Sequence, residues 1–337
     1  MALCCDGLEQ ISERLHCRTV AASNASDSLK EDAFSGLLSA PRSLPPKYFY
    51  DARGSILFDR ICDTPEYYLT RTEDALLAKS AEAVIRSTHP TYIVELGSGT
   101  ARKTRHLLTA CASQETPIVY APLDVCREVL LESSEALIRD YRWLHITALV
   151  GDYHSDLPRL PAMLGGRLFV FLGSTIGNLT DAEALAFLCE LRSEMRASDR
   201  LLLGIDRVKD PAVLHAAYND CAGLTAKFNR NLLRVLNREL AADFKLEAYQ
   251  HHACYNPTAK QIEMYLIAKA PQRVTIAAFD RSFQMDEGEA IQTEISRKFT
   301  YKAIERLLFM SELRIERHFE ADNGYFSLIL ARPNTLE

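Results

Sequence analysis

Hydrophobic positions change their spacing several times along the chain, and each change marks a predicted element. Five short apolar runs between residues 92 and 206 have the length and composition of buried strands. These strands are YIVEL (92–96), IVYAPLD (118–124), ITALVGDY (146–153), RLFVFLGS (167–174) and RLLLGID (200–206). The segments between them repeat apolar residues every three or four positions, which indicates helices. Strands separated by helices predict a parallel, doubly wound sheet with right-handed crossovers.

The alternation ends after residue 208. Residues 209–296 combine a helical segment (212–240) with three apparent antiparallel strands, FKLEAYQHHACYN, KQIEMYLIAKA and QRVTIAAFD. We interpret this part as a second, α+β lobe inserted into the first. The chain then returns to a helix and a hairpin around Asn323-Gly324. A terminal antiparallel hairpin after five parallel strands is typical of S-adenosylmethionine (SAM)-dependent methyltransferases, whereas a nicotinamide-binding sheet continues parallel.

These patterns predict an α/β fold, a Rossmann-like class I methyltransferase sheet with an inserted α+β substrate-binding lobe. The predicted boundaries are residues 1–28 for an N-terminal arm, 72–208 and 297–337 for the SAM-binding domain, and 29–71 and 209–296 for the substrate-binding lobe. Six aromatic residues crowd together early in that lobe: Tyr48, Phe49, Tyr50, Phe58, Tyr67 and Tyr68. Such crowding usually means core packing, but beside Pro and Gly it also suits a pocket lining.

Composition and charge exclude several classes of protein. The 337 residues are 47% hydrophobic and 25% charged, as in an ordinary soluble domain. The net charge is −6 and no basic block stands out, so we expect no nucleic-acid partner. The N-terminal residues MALCCDGLEQISERLH have neither a basic start nor a long apolar run. We therefore expect no secretory signal, no membrane association and a cytoplasmic, monomeric protein.

Cysteines and histidines give no sign of a metal site. The nine cysteines form no CxxC pair, and several, such as Cys111 and Cys189, fall in apolar helical patterns and are interpreted as small core residues. The only adjacent histidine pair, His251-His252, has no cysteine or carboxylate at ligand spacing. We expect a reduced protein without a metal.

The turn after the first strand, in VELGSGTARKT (94–104), is the first candidate ligand site. A dinucleotide fingerprint, GxGxxG, would have its third glycine at Arg102, so a nicotinamide cofactor is disfavoured. Gly97 and Gly99 allow a ligand to approach the backbone closely, and Lys103 can pair with a ligand carboxylate. The alternative is a structural turn with Lys103 on a solvated face.

Polar residues follow the next strands at the same edge of the predicted sheet. Asp124 can accept both hydroxyls of a ribose, and Asp152 with Tyr153 can hold an adenine, so the set favours SAM as the ligand. The fourth strand ends in FLGSTIGN (171–178), which lacks the Pro-Pro-aromatic tetrapeptide typical of enzymes that methylate base amines. Gly173 instead permits close approach by a small substrate, and Asn178 offers amide donors to a carboxylate.

At this point the chain resembles a known family over roughly residues 30–335. The family is that of the histidine-specific, SAM-dependent Nα-methyltransferases of ergothioneine biosynthesis, which convert L-histidine to its trimethylated betaine, hercynine. The resemblance is carried by LPPKYFYDARGSILFDRI, TPEYYLTRTE, VELGSGTARKTR, FLGSTIGNLT, AYND, FNRNLL, NREL, QIEMYL and TEISRKF. Related enzymes methylate a tryptophan-derived amine in ergot alkaloid pathways.

The resemblance implies a role for each matching residue. SAM contacts are implied at Gly97, Lys103, Asp124, Asp152 and Tyr153. Substrate contacts are implied for Tyr67, for Asn178 and Tyr218 with the carboxylate, for Glu294 and Ser296 with the imidazole, and for Met264 in the side-chain pocket. The resemblance also implies that Tyr50 lies near the substrate amine. On physical grounds, either Tyr50 acting through water or the Gly173 carbonyl can orient that amine. No strong base is apparent, so we expect the amine to lose its proton to solvent.

Spacing gives a physical reason for histidine. Glu294 and Ser296 lie two residues apart, so on an extended segment they face the same side and can bond both imidazole nitrogens. An indole offers a single donor and would leave the carboxylate largely unpaired, at a cost of about 1–3 kcal/mol or more. Without the resemblance, a surface ion pair of Glu294 with Arg297 or Lys298 would be the simpler interpretation.

Three alternatives remain open on the sequence. The first is a methyltransferase for another amino acid or for an aromatic amine such as a tryptophan derivative. The second is a SAM-binding regulatory protein without turnover, against which the intact set of implied contacts argues. The third is a nicotinamide oxidoreductase, which separate calorimetric titrations with SAM and NAD would distinguish.

Overall fold

The protein divides into two compact units. The computed structural model describes residues 7–20, 25–112, 117–154, 156–157, 160–161 and 163–334, and for residues 25–28 it describes the backbone alone. The first unit contains the described residues of Met1–Ala22, Leu69–Arg207 and Phe299–Glu337. The second contains those of Ser23–Tyr68 and Val208–Lys298.

Helices and strands are numbered in chain order. The helices are α1 (Ala25–Leu37), α2 (Ala52–Cys62), α3 (Tyr68–Thr88), α4 (Arg105–Cys111), α5 (Arg127–Asp140), α6 (Asp181–Glu194), α7 (Pro211–Ala217), α8 (Leu224–Glu239) and α9 (Tyr301–Met310). The strands are β1 (Leu8–Gln10), β2 (Leu15–Thr19), β3 (Arg42–Ser43), β4 (Tyr92–Leu96), β5 (Val119–Asp124), β6 (His145–Val150), β7 (Arg167–Phe171), β8 (Arg200–Asp206), β9 (Tyr249–Asn256), β10 (Gln261–Ala268), β11 (Gln272–Ile276), β12 (Arg281–Met285), β13 (Ala290–Arg297), β14 (Leu313–Glu320) and β15 (Phe326–Pro333).

The first unit is built on a sheet in the order β1-β2-β6-β5-β4-β7-β8-β15-β14. Strands β6, β5, β4, β7 and β8 are mutually parallel, and β15 lies antiparallel between β8 and β14. The predicted fold class, with five parallel strands and a terminal antiparallel hairpin, is confirmed. The strand order reverses at β4, because the chain runs outward to β5 and β6 and then returns to β7 on the other side. Ligands of open α/β sheets bind at such a reversal, outside the carboxyl ends of the strands.

Apolar side chains cover both faces of this sheet. Along β7 every residue is buried, with Leu168 and Val170 in one apolar cluster and Phe169 and Phe171 in the other. That two-sided burial explains why the strand is a continuous apolar run in the sequence. The capping box predicted at Thr180 is present at the start of α6, where Thr180 and Glu183 exchange side-chain hydrogen bonds with each other's backbone.

The N-terminal prediction was wrong for the described residues 7–20. The sequence predicted a loose arm or a short capping helix, but β2 pairs in parallel with β6 and extends the sheet, and β1 pairs with β2. Leu15 and Cys17 are almost completely buried there. The strand sequence LHCRT is short and of mixed polarity, so its periodicity gives little signal. Residues 25–28 of the predicted arm begin α1, and residues 1–6 and 21–24 lie outside the described part of the chain.

The second unit contains a sheet in the order β3-β13-β10-β9 and a separate pair, β11-β12. The helical segment predicted from 212 to 240 is two helices, because Asp220 accepts the N–H groups of Leu224 and Thr225 and starts α8 anew. Asp51 caps α2 in the same way. A Cβ atom at Gly54 would lie 1.6 Å from the Phe49 carbonyl oxygen, which explains the glycine in DARGS.

Membrane and metal features were sought in the same described residues. No helix there is both long and apolar enough to cross a bilayer. No three histidine, cysteine or acidic side chains are grouped there as ligands of a metal. The seven cysteines that the structure describes are free thiols. Cys111 is buried as predicted, whereas Cys189 is exposed, so its assignment to the core was wrong.

The N-terminal strand generates a stability prediction. We expect Leu15→Ala to lower the free energy of unfolding by about 2–4 kcal/mol, because it leaves a cavity beneath β2. Leu8→Ala is the control, since Leu8 is 45% exposed, and should change that free energy by no more than about 0.5 kcal/mol. Urea unfolding of both variants measures the difference. Equal, small effects would show that β2 contributes nothing to the sheet.

Candidate active site

The glycine turn after β4 has the backbone that its sequence predicts. Gly97 and Gly99 have φ angles of +71° and +49°, in the left-handed region that favours glycine. The N–H groups of Gly97 and Ser98 both donate to the Leu123 carbonyl, which anchors the turn to the end of β5. The buried Ser98 hydroxyl has no hydrogen-bond partner among the described residues. The bonding capacity of this hydroxyl is therefore unused within the described part of the chain.

Asp124, the last residue of β5, is held by backbone donors. Its Oδ2 accepts the N–H of Gly99 at 2.8 Å, and its Oδ1 accepts the N–H of Cys126 at 3.0 Å. Burial raises the pKa of this carboxyl, while those two N–H groups lower it. Each oxygen keeps lone-pair capacity for a further donor, so the carboxylate is oriented and still able to bind two ribose hydroxyls.

Asp152 and Tyr153 lie in the turn after β6, which ends at Val150. The Asp152 carboxylate accepts the backbone N–H of His154 at 2.9 Å and lies 2.7 Å from its ring Nδ1. The half-buried Tyr153 ring packs edge-on against Phe171, with centroids 5.2 Å apart. A Cβ atom at Gly97 would lie 3.3 Å from the Tyr153 ring, so glycine at that position keeps the space in front of the ring open.

Lys103 is paired within the first unit. It lies in the turn before α4, two residues before the helix begins, and not on its first turn. Its ammonium pairs with the carboxylate of Glu73, whose side chain is 1% exposed. Glu73 also accepts the Gly173 N–H, at 2.8 and 3.0 Å from its two oxygens. A Cβ atom at Gly204 would lie 2.2 Å from Glu73 Oε1, so that glycine makes room for the buried acid.

Glu73 was missed by the sequence analysis, although a signal was present. It stands four residues before Leu77 and eight before Ala81, two members of the apolar stripe of α3. An acid on the buried face of a helix needs a partner inside the protein. Here that partner is Lys103, the residue assigned to the SAM carboxylate.

Glu95 sits at the end of β4, but its side chain serves the scaffold. Its Oε1 accepts the Thr104 hydroxyl at 2.6 Å, and its Oε2 is bonded to the Tyr120 hydroxyl. Burial raises the pKa of Glu95 to about 7. Thr104 lies between the glycine turn and α4, so its hydrogen bond with Glu95 helps to fix the end of that turn.

The turn after β7 carries Gly173 and Asn178. The strand ends at Phe171, and Gly173 and Ser174 follow with φ angles of +75° and +56°. This sharp turn exposes Gly173 and starts a short 3₁₀ helix whose last residue is Asn178. Asn178 is half-buried.

In the second unit, an aromatic cluster contains the predicted Tyr50 and Tyr67. Tyr50 packs against Phe58 at 5.5 Å, Phe58 against Tyr67 at 6.0 Å, and Tyr67 against Tyr218 at 6.2 Å between ring centroids. Phe228 of α8 joins the cluster through Tyr50. Burial raises the pKa of Tyr67 well above its usual value, so its hydroxyl stays protonated and can donate a hydrogen bond.

A bulge in β13 brings Glu294 and Ser296 to the face that also carries Met264. Glu294 pairs with Met264 and Ser296 with Ile262, but the next pair is Gln292 with Tyr265, so Thr293 is the extra residue. The bulge shifts the side-chain alternation by one residue. Without it, the phase set by Ile291 would point Glu294 to the opposite face. Met264 is 1% exposed.

Lys298 extends this row of alternate residues and was not assigned to the site by the sequence. It is 3% exposed, and its ammonium donates to the Ser296 hydroxyl at 2.8 Å and to the Tyr218 hydroxyl at 3.2 Å. The two hydroxyls are 2.8 Å apart. The backbone carbonyl of Tyr218 lies 3.0 Å from His251 Nε2, so the main chain of Tyr218 is held as well as its hydroxyl. Two residues predicted to bind the substrate, Tyr218 and Ser296, are therefore bonded to a buried lysine that was not predicted.

Glu294 forms no hydrogen bond or ion pair with the described residues, so the alternative of a surface ion pair is not observed. Its side chain is half-buried, and burial raises its pKa to about 7 against the opposing charge of Lys298. A carboxylate that lacks a partner in such surroundings is poised to accept a hydrogen bond from a ligand.

Comparisons with known proteins identify the family of this chain. A family model described as "Histidine-specific methyltransferase, SAM-dependent" matches residues 29–333. Histidine N-alpha-methyltransferase from Mycobacterium tuberculosis (strain CDC 1551 / Oshkosh) is 46% identical over 303 residues, 90% of this chain and 94% of that protein. The protein of the same name from Mycolicibacterium smegmatis is 45% identical over 93% of this chain and 97% of its own. Ergothioneine biosynthesis protein 1 of Neurospora crassa is 31% identical over 87% of this chain and 33% of its own length.

Glu95 generates a pH prediction. Its pKa is about 7 in the folded protein against an ordinary value of 4.5, so the fold favours the neutral carboxyl and loses stability as the pH rises through about 7. Glu95→Gln has no charge to bury. We expect its free energy of unfolding, relative to the parent, to rise by up to about 3 kcal/mol between about pH 5 and pH 8.

Chemical denaturation at several pH values measures that difference. Glu82→Gln, at an exposed position on α3, is the control and should show the same difference at every pH. A difference for Glu95→Gln that is equally independent of pH would contradict the assignment of a raised pKa to Glu95.

Proposed function

This chain belongs to the histidine-specific, SAM-dependent methyltransferases, and from that premise we propose that it trimethylates the α-amino group of L-histidine to hercynine. The observation that carries the proposal is the face of β13, where Glu294 lacks a partner beside the hydroxyl of Ser296. An acceptor next to a donor matches the two nitrogens of a neutral imidazole. The names of the relatives support histidine as the substrate and ergothioneine biosynthesis as the pathway.

The first unit supplies the residues that we assign to SAM. SAM, when bound, provides an electrophilic methyl group on a sulfonium. Asp124 would bind the ribose hydroxyls, and Asp152 and Tyr153 would bind the adenine. The turn at Gly97 would allow SAM to approach the backbone closely. Lys103 would bind the carboxylate of SAM, and its pairing with Glu73 holds it near the end of β7.

The second unit supplies most of the residues that we assign to histidine. Glu294 and Ser296 would bind the imidazole, Met264 would pack against it, and Tyr67 would donate a hydrogen bond. The resemblance assigns Asn178 and Tyr218 to the substrate carboxylate. Because the Tyr218 hydroxyl is bonded to Ser296, it must exchange or share that contact when it binds a carboxylate.

Methyl transfer needs alignment more than it needs acid–base chemistry. The amine lone pair must point at the methyl carbon, opposite the departing sulfur, and holding that alignment is the main contribution expected of the protein. An α-amino group has a pKa of about 8, which a nearby sulfonium lowers, so the proton can leave to solvent before each attack. Tyr50 and the Gly173 carbonyl would orient the amine. The faces of the aromatic cluster would stabilise the growing trimethylammonium.

The test of this function is incubation with SAM and a panel of amino acids, followed by mass spectrometry. We expect a mass gain of three methyl groups on histidine and none on tryptophan or other amino acids. Methylation of an aromatic amine in preference to histidine would support the alternative substrate. No modification of any α-amine would contradict the proposal. A cytoplasmic location and a monomeric state stay predictions that need their own measurements.

Glu294 generates a specificity prediction. We expect Glu294→Ala to lower kcat/KM for histidine by about tenfold to a hundredfold, because it removes an acceptor for the ring N–H. Activity on tryptophan should fall less, so the histidine/tryptophan ratio should drop. Glu263→Ala is the matched control, because Glu263 lies next to Met264 on β10 with its side chain on the opposite face. An unchanged ratio in Glu294→Ala would show that Glu294 does not contact the imidazole.

A further inference from the structure

Lys298 is buried in the second unit among groups that the proposed function assigns to the substrate. Its ammonium lies within hydrogen-bond distance of the hydroxyls of Ser296 and Tyr218, and 5.0 Å from the centre of the Tyr218 ring. Glu294, Ser296 and Lys298 follow one another at alternate positions of an extended segment, so they share a face. A lysine is seldom so deeply buried unless its charge is used.

The hydrogen-bond capacities of the three groups restrict what they can offer to a ligand. An ammonium only donates, so both hydroxyl oxygens accept from Lys298. The Tyr218 hydroxyl donates its proton to the Ser296 oxygen. That oxygen therefore accepts from both Tyr218 and Lys298, and the Ser296 proton remains to be donated. The pair therefore presents a single donor, while much of its acceptor capacity is already used by Lys298.

Glu294 presents the opposite chemistry on the same face. As a carboxylate it only accepts, and it has no other partner among the described residues. The positive charge of Lys298 favours that anionic form, against the effect of burial. The face thus combines one acceptor with one donor. A neutral imidazole has one N–H and one bare nitrogen and satisfies both, whereas an imidazolium or a pyrrole-type ring offers donors alone.

We propose that Lys298 is a positioning residue that determines specificity, because it turns the Ser296–Tyr218 hydroxyl pair into a donor for the bare nitrogen of the substrate ring. The inference rests on the proposed function and adds to it a residue that contributes without contacting the reacting amine. It also implies that the enzyme takes histidine with a neutral ring.

Lys298→Met tests the proposal, because methionine is similar in length but has neither charge nor donor. Three kinds of amino acid compete in one incubation with SAM: L-histidine, the 4- and 5-thiazolyl alanines, and a pyrrolyl alanine. The thiazoles carry a bare ring nitrogen without an N–H, and the pyrrole carries an N–H without a bare nitrogen. Mass spectrometry gives the ratio of kcat/KM values, and this ratio does not depend on the fraction of protein that is folded.

We expect Lys298→Met to lower kcat/KM for histidine and for at least one thiazole by about tenfold to a hundredfold relative to the pyrrole. Lys227→Met is the matched control, since Lys227 is exposed on α8 of the same unit, and should leave the ratio unchanged. Lys298→Arg retains the charge and donors and should keep the parent's order of preference even if its overall rate falls.

One result would overturn the proposal while the unmodified protein methylates histidine. It is a parental ratio in Lys298→Met, whether or not the overall rate falls, because an equal effect on histidine, the thiazoles and the pyrrole would indicate a structural role alone. If Lys298→Met yields no folded protein, a loss of preference for histidine over the pyrrole in Lys298→Arg overturns the proposal. Methylation of histidine by the unmodified protein is measured in a separate incubation. Its absence would overturn the proposed function together with this inference.

Discussion

A buried carboxylate constrains the edge of the sheet at which SAM is expected to bind. Glu73 lies beneath the end of β7, in space that only a glycine at position 204 leaves open. A carboxylate without partners would be very costly there, so the fold must provide a charge and hydrogen bonds. Lys103 and the Gly173 N–H meet that need. Because these two groups come from the turns after β4 and after β7, one acid ties together both sides of the point where the strand order reverses.

A different device constrains the second unit. The extra residue Thr293 shifts the alternation of β13 within a regular sheet, and the shift points an acid and a hydroxyl to the face that Met264 occupies. Bulges are common where a side chain must be redirected beside a functional site. Here Thr293 donates its hydroxyl to the Met264 carbonyl, which stabilises the irregular step. The orientation of the polar face therefore depends on the bulge, and the bulge is stabilised by Thr293.

The sequence predicted those parts of the fold whose signals are local. The five parallel strands are continuous apolar runs because both of their faces are covered, and the start of α6 is visible as a capping box. The sequence could not predict β2, whose place depends on pairing with a strand about 130 residues later. The resemblance and the spacing predicted that Glu294 and Ser296 act together, but the sequence pattern did not predict the bulge. Glu73 was missed because its partners, Lys103 and Gly173, lie far away in the chain. Lys298 was missed because it was expected at the surface, whereas it is buried against the hydroxyls of Ser296 and Tyr218.

Two acids with similarly raised pKa values have different roles in this protein. Burial brings both Glu95 and Glu294 to about 7, so the pKa alone would mark both as candidates for a functional site. Their hydrogen bonds separate them. Glu95 bonds to Thr104 and Tyr120 and so belongs to the scaffold, whereas Glu294 has no such bond within the described chain. A perturbed acid whose bonding capacity is unused indicates a ligand, and one whose capacity is filled indicates support for the backbone.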